Sequence, residues 1–130
     1  MKVEWISFFL FGIAALIHIG FFFFEAILYQ RDGFHKKLGI SERDHQIQKI
    51  WAFNQGFYNL YLSVGTLMGL YFVMQKQIML AGVLTSFCGV SMVVSGCVLW
   101  FSVPRLRMAA LLQAIPPLLG FFFLSFHIIK

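Results

Sequence analysis

Residues 5–29 read WISFFLFGIAALIHIGFFFFEAILY. A helix needs roughly 20 mainly apolar residues to cross a bilayer, and this stretch exceeds that length. It is also too long for the apolar core of an ordinary signal peptide, so we expect it to be retained as a membrane span. Two ionisable side chains, His18 and Glu25, interrupt its second half. Charged groups are costly in hydrocarbon, so both residues require an explanation.

Three more apolar runs follow, at about 50–74, 78–101 and 106–129. The connections between the last three runs are short, so these helices must run antiparallel to their neighbours. The chain is 60% hydrophobic and 12% charged, whereas soluble domains are about 45–50% apolar and about 25% charged. We therefore predict an all-α integral membrane protein, a four-helix antiparallel bundle that forms a single transmembrane domain over residues 1–130.

The only long connection lies between the first two runs, at residues 30–49. Asp32 and Gly33 form a turn signal. Ser41 has the features of a helix N-cap, because its hydroxyl can accept a hydrogen bond from the amide of Asp44 and acidic residues occupy the first turn. We expect the second helix to begin in water or among headgroups before it enters the bilayer.

The formal net charge is +5, but the basic residues lie in the connections rather than on one accessible face, so we predict no nucleic-acid partner. The positive-inside rule assigns the more basic connections to the cytoplasm. The first and third connections carry Arg31, Lys36, Lys37, Arg43, Lys49, Arg105 and Arg107, against Lys2, Lys76 and Lys130 on the opposite side. This distribution predicts that both termini lie outside.

Polar side chains from three of the runs fall at similar depths, in the half of the bilayer nearest the long connection. At 1.5 Å per residue, Glu25 lies about one turn from that end of its helix and His18 about 10 Å deeper, on the same face. Such groups would be unsatisfied facing lipid, whereas inside the bundle they can satisfy one another. The predicted binding site consists of Glu25, His18, Asn54, Gln55, Tyr58, Asn59 and Gln113. Glu25 and His18 are its candidates for a catalytic role.

A purely structural role is the alternative. Interhelical hydrogen bonds in membranes contribute only about 0.6 kcal/mol on average, and an isolated histidine such as His18 is commonly a hydrogen-bonded core residue. His35 and His45 are predicted to lie in a solvated loop. No pair of potential ligands has zinc spacing and no phosphate-binding loop is present, so we predict neither a metal nor a cofactor.

The polar residues also carry a family resemblance. His18-x6-Glu25, the block Asn54-Gln-Gly-Phe-Tyr-Asn59 and Gln113-x-x-Pro116 resemble a family of small four-span bacterial membrane proteins of unknown function, some of which are labelled epimerases. The likeness covers nearly the whole chain, and the central block is its most specific part. Ala114 departs from the family pattern, which has glycine after the glutamine. The resemblance implies this fold, these positions and a bacterial inner (plasma) membrane, but no established reaction.

Three functions remain open. We favour a site for a lipid headgroup or small amphipathic ligand, because amides specify recognition more readily than chemistry; membrane lipids are the expected partners and a homo-oligomer is compatible with this. A membrane-embedded isomerase or epimerase acting on a lipid-like substrate is the second, with Glu25 or His18 as general base, as in four-span sterol and lipid isomerases. The third is a proton-coupled transporter, since small multidrug resistance transporters also carry a glutamate in their first span. Their pattern lacks the polar block of the second span.

Reporter fusions test the predicted orientation. We expect alkaline phosphatase, which is active only outside the cytoplasm, to be active when fused after Lys130 and inactive when inserted at Gly33. The opposite pattern would reverse the orientation.

Overall fold

The computed structural model describes the backbone of residues 2–128 and the side chains of residues 5–125. The order is α1 (Lys2–Phe22), a π-helical segment (Phe23–Leu28), α2 (Phe34–Lys37), α3 (Glu42–Met74), α4 (Ile78–Ser102), a 3₁₀ turn (Pro104–Leu106) and α5 (Arg107–Ile128). No strand occurs among the described residues, so the predicted all-α fold is confirmed. The side chains of Lys2 and Lys130, which entered the predicted orientation, and the predicted end of the fourth span at residue 129 lie outside the described residues.

Four segments are long and apolar enough to cross a membrane: Trp5–Leu28, Glu42–Met74, Ile78–Ser102 and Pro104–Ser125. The chain is therefore a multi-pass membrane protein. The second segment starts before its apolar run because Ser41 caps α3, its Oγ accepting a hydrogen bond of 3.1 Å from the amide of Asp44. The predicted start of this helix is thus confirmed.

The long helices form a closed ring. α1 packs against α3 and α5, and α4 packs against the same two helices from the other side, so that α1 and α4 lie diagonally with little contact. The end of the ring that carries α2 and the 3₁₀ turn is called the loop end below. The end that carries the α3–α4 connection is the far end.

The side chain of Phe11 fills the centre of the helix bundle toward the far end. Phe11 is 1% exposed, and its ring stands edge-on to Phe121 with centroids 5.1 Å apart. A Cβ atom on Gly89 of α4 or Gly120 of α5 would lie 2.9 Å from the Phe11 ring. These glycines therefore make the space that the ring occupies, and Ser7 adds a hydrogen bond of 2.8 Å from its Oγ to the carbonyl of Gly120.

Small residues also bring α4 and α5 into backbone contact near the loop end. A Cβ atom on Gly96 would lie 2.7 Å from the Cβ of Ala114 and 2.9 Å from the carbonyl oxygen of Ala110. The methyl group of Ala114 thus packs directly against Gly96. Gly82 on the same helix has nothing within 4 Å of that position.

This difference predicts the effect of a single methyl group at each site. We expect Gly96→Ala to lower the free energy of unfolding by about 1–3 kcal/mol, because overpacking a close contact forces the helices apart. Gly82→Ala is the matched control and should leave it unchanged or raise it, since alanine favours a helix. Unfolding in mixed micelles measures both variants, and equal stabilities would show that the Gly96 contact does not constrain the bundle.

Candidate functional site

The helix that begins as α1 widens where it approaches the loop end. In the π-helical segment the backbone bonds reach one residue further, as in the 2.7 Å bond from the amide of Tyr29 to the carbonyl of Phe24. The Gln30 side chain then donates from Nε2 to the carbonyls of Glu25, at 2.9 Å, and Lys49, at 3.0 Å. This ties the segment to α3. Such segments are rare and frequently occur at functional sites.

A hydrogen bond joins the acid of the π-helical segment to α3. Asn59 donates from Nδ2 to Oε2 of Glu25 at 2.8 Å; Asn59 is 3% exposed and Glu25 is half-buried. Gly56 allows this approach, because a Cβ atom there would lie 2.8 Å from the Cβ of Ala26 and 3.0 Å from its amide nitrogen. Gly56 and Asn59 are neighbours on one face of α3, so the close contact at the glycine sets the amide beside the carboxylate.

The Glu25–Asn59 pair lines a cavity of about 450 Å³ between the four long helices. We call it the inner cavity. Its polar lining consists of Glu25, Gln55, Asn59, Ser95, Ser102 and Gln113, and the rest of its wall is apolar. The structure therefore brings together four of the residues predicted from sequence, namely Glu25, Gln55, Asn59 and Gln113.

Two further cavities share parts of this wall. The loop cavity, about 710 Å³, is lined by Glu25 and Gln55 and also by Asn54, Tyr58 and Arg105, under residues of the first loop. The lateral groove, about 390 Å³, runs between α3 and α4 and shares Gln55, Asn59, Ser95 and Gln113 with the inner cavity. Asn54 and Tyr58 thus belong to the flanks of the site, and both are exposed.

The inner cavity offers hydrogen-bond acceptors that no described residue uses. The Asn59 amide donates to Glu25, and Gln113 donates from Nε2 toward the carbonyl of Met92 at 3.5 Å. Each side chain therefore keeps its oxygen atom and its second N–H for another partner. The second carboxylate oxygen of Glu25, Oε1, accepts no hydrogen bond from any residue that the structure describes. A molecule that fits this wall should carry N–H or O–H donors.

His18 lies apart from this site. It is fully buried, and its Nδ1 lies 2.9 Å from the carbonyl of Ala14, which can only accept, so Nδ1 carries the proton. His18 lines none of the three cavities, and its Nε2 has no partner in the described part of the chain. The expected common face of His18 and Glu25 assumes an unbroken α-helix, and the π-helical segment interrupts that helix between them.

Arg105 borders the site but is not among the residues predicted from the sequence. It lies exposed in the 3₁₀ turn, lines the loop cavity together with Glu25 and forms no ion pair with a described residue. The available signal was its position in the short connection between α4 and α5, beside the end of the bundle where the predicted polar residues lie. From the sequence alone, this arginine contributes only to the predicted orientation.

The prediction that His35 and His45 lie in a solvated loop is wrong. They are 4% and 1% exposed, because α2 folds back against the first turns of α3. The His45 ring stacks on His35 with centroids 4.8 Å apart and lies 4.9 Å from the ring of Tyr29. His35 pairs through Nε2 with Glu42 at 2.9 Å. Periodicity and composition cannot reveal such a contact, which depends on how the loop folds.

Four apolar helices around a partly polar interior define a helical multi-pass membrane protein. A family model described as Protein of unknown function (DUF1304) matches residues 12–125, and the chain belongs to this family. The match spans Glu25, the central block of α3 and Gln113, and it confirms the resemblance to an uncharacterised family. Comparisons with curated proteins and with solved structures give no match.

The packing of His45 generates a stability prediction. Neither ring nitrogen of His45 has a hydrogen-bond partner among the described residues, and a buried unsatisfied polar group costs about 1–3 kcal/mol. We expect His45→Phe to keep the ring stack and retain or raise the melting temperature in detergent. His45→Ala should lower it, because it leaves a cavity. If His45→Phe destabilises as much as His45→Ala, the histidine nitrogens contribute to the fold.

Proposed function

We propose that this protein binds an amphipathic molecule of the membrane, with a hydrogen-bond-donating headgroup against Glu25 and an apolar chain in the lateral groove. The observation that carries the proposal is the unused carboxylate oxygen of Glu25 on the wall of the inner cavity. This oxygen is not among the buried atoms that lack a partner, so it is open to the space of the cavity. A donor on a ligand in the cavity can therefore reach it and form a hydrogen bond.

The lining of the inner cavity supports recognition of a headgroup rather than of a hydrocarbon alone. Three acceptors come from three different elements: Glu25 from the π-helical segment, Asn59 from α3 and Gln113 from α5. Ser95 and Ser102 of α4 add hydroxyls that can donate or accept. Ligand sites of this kind combine a mainly apolar wall with a few convergent polar groups that fix orientation.

The lateral groove supports an apolar chain. It continues from Asn59 and Gln113 toward Leu62, Phe87 and Cys88, and the polar end of the ligand would therefore join directly to an apolar path. Phe87 is 69% exposed on the outer face of α4, so the groove is open at the surface of the bundle that lipid covers. A chain lying in it could extend into the bilayer without crossing the packed core.

His18 lines none of the three cavities, which leaves Glu25 as the candidate general base for the enzymatic alternative. We favour binding because the amides beside Glu25 specify recognition more readily than chemistry. We also propose a bacterial inner membrane as the location, with the loop end in the cytoplasm. The excess of lysine and arginine at that end supports this orientation. The site would then lie in the cytoplasmic half of the bilayer.

A charge-neutral variant of Glu25 tests the proposed site. We expect Glu25→Gln to weaken binding of 1-monooleoylglycerol by about 10- to 100-fold, because a hydrogen bond to a charged group is lost. The melting temperature should change little, since the glutamine oxygen can still accept from Asn59. Titration of the lipid into protein in nanodiscs, followed by native mass spectrometry, measures the affinity.

Phe9→Leu is the control, because Phe9 is 69% exposed on the lipid face of α1 and lines none of the three cavities. It should leave binding unchanged. Equal affinities of Glu25→Gln and the unaltered protein, or an equal loss in Phe9→Leu, would contradict a headgroup site at Glu25.

A further inference from the structure

Opposite charges line the loop cavity at two of its walls. Among the described residues that line the three cavities, Glu25 is the only acidic residue and Arg105 the only basic one. Both border the loop cavity, which has about 710 Å³ of space. A ligand that occupies this space therefore meets a carboxylate from the π-helical segment and a guanidinium from the turn between α4 and α5.

Arg105 is the basic residue that borders the loop cavity, and its guanidinium is not engaged by the protein as those of two nearby basic residues are. The guanidinium of Arg107 stacks over the ring of Trp100, 5.0 Å from its centroid. Lys49 lies 3.8 Å from a carboxylate oxygen of Asp32. Arg105 makes no ion pair or hydrogen bond with any residue in the described part of the chain, so its planar set of donors remains available to an anion such as phosphate.

We propose that the ligand is a phospholipid with a zwitterionic headgroup that carries N–H donors, of the phosphatidylethanolamine type. This inference rests on the proposed function and specifies its ligand. The primary ammonium donates to Oε1 of Glu25, and the phosphate lies against Arg105. A headgroup with phosphate alone would place negative charge beside Glu25, and one without phosphate would leave Arg105 unpaired.

The same cavity wall gives the acyl chains a path. Gln55 and Tyr58 line both the loop cavity and the lateral groove. The glycerol of the lipid can therefore pass these two residues and direct a chain between α3 and α4.

A choline headgroup has the same charges but no N–H group, so it cannot donate to Glu25.

Four oleoyl lipids separate these requirements: lysophosphatidylethanolamine, lysophosphatidylcholine, lysophosphatidylglycerol and 1-monooleoylglycerol. We expect the unaltered protein to bind the ethanolamine lipid about tenfold or more tightly than each of the other three, because it alone combines a positively charged N–H donor for Glu25 with a phosphate for Arg105. Nanodiscs with a fixed background lipid and native mass spectrometry give the four affinities.

Arg105→Gln should remove about tenfold of the affinity for the ethanolamine lipid and leave monooleoylglycerol unchanged. Arg107→Gln is the matched control, from the same end of α5, and should change neither. Both arginines are exposed, so melting temperatures of the two variants should match that of the unaltered protein.

Equal affinities for the four lipids, or equal effects of the two arginine variants on the ethanolamine lipid, would overturn the zwitterionic assignment. If monooleoylglycerol binding is nevertheless lost in Glu25→Gln, the zwitterionic assignment is wrong but the proposed headgroup site at Glu25 stands. If Glu25→Gln leaves all four lipids unaffected, both proposals are wrong.

Discussion

The hydrogen bond from Asn59 to Glu25 joins α3 to the π-helical segment that continues α1, within the apolar span of both helices. A carboxylate there needs partners from the protein, and Asn59 supplies one at 2.8 Å. The bond depends in turn on Gly56, whose missing side chain lets α3 touch Ala26. The two walls of the inner cavity that carry Glu25 and Asn59 are thus positioned by one glycine contact and one amide.

The inner cavity exists because the helices approach closely in two separate pairs at this depth. The π-helical segment meets α3 at Gly56, and α4 meets α5 at Gly96, where Ala110 and Ala114 come near the backbone. Close contact within each pair leaves space between the pairs. Toward the far end the Phe11 ring fills the corresponding space. The same sequence therefore packs one half of the bundle tightly and leaves the loop half open.

Much of this architecture follows from simple regularities of the sequence. Hydropathy and length predict the four spans, and Ser41 with its acidic neighbours predicts the start of α3. Counting 1.5 Å per residue places Glu25, Asn59 and Gln113 at similar depths, and all three line one cavity. These predictions succeed because depth in a membrane depends on distance along a helix, and helical rise is nearly constant.

Predictions that depend on rotation or on tertiary contact fare less well. The common face assigned to His18 and Glu25 requires an unbroken α-helix, which residues 23–28 do not form. The burial of His35 and His45 requires the loop to fold against α3. From the sequence, Arg105 contributes only to the predicted membrane orientation. Nothing in its local sequence shows that it borders the same cavity as Glu25, which lies far away along the chain.

The π-helical segment links the chemistry of the cavity to the number of residues in the chain. Residues 21–24 are four phenylalanines, so the loss of any one of them yields the same shorter sequence. A chain shortened there could close as an ordinary α-helix, because a π-helical turn contains one residue more than the α-helical turn it replaces. Glu25 would then project from the helix in another direction relative to Asn59. The insertion or deletion of a single codon among these phenylalanines could therefore bring the Glu25 carboxylate into the cavity wall or remove it, without a substitution at Glu25 or Asn59.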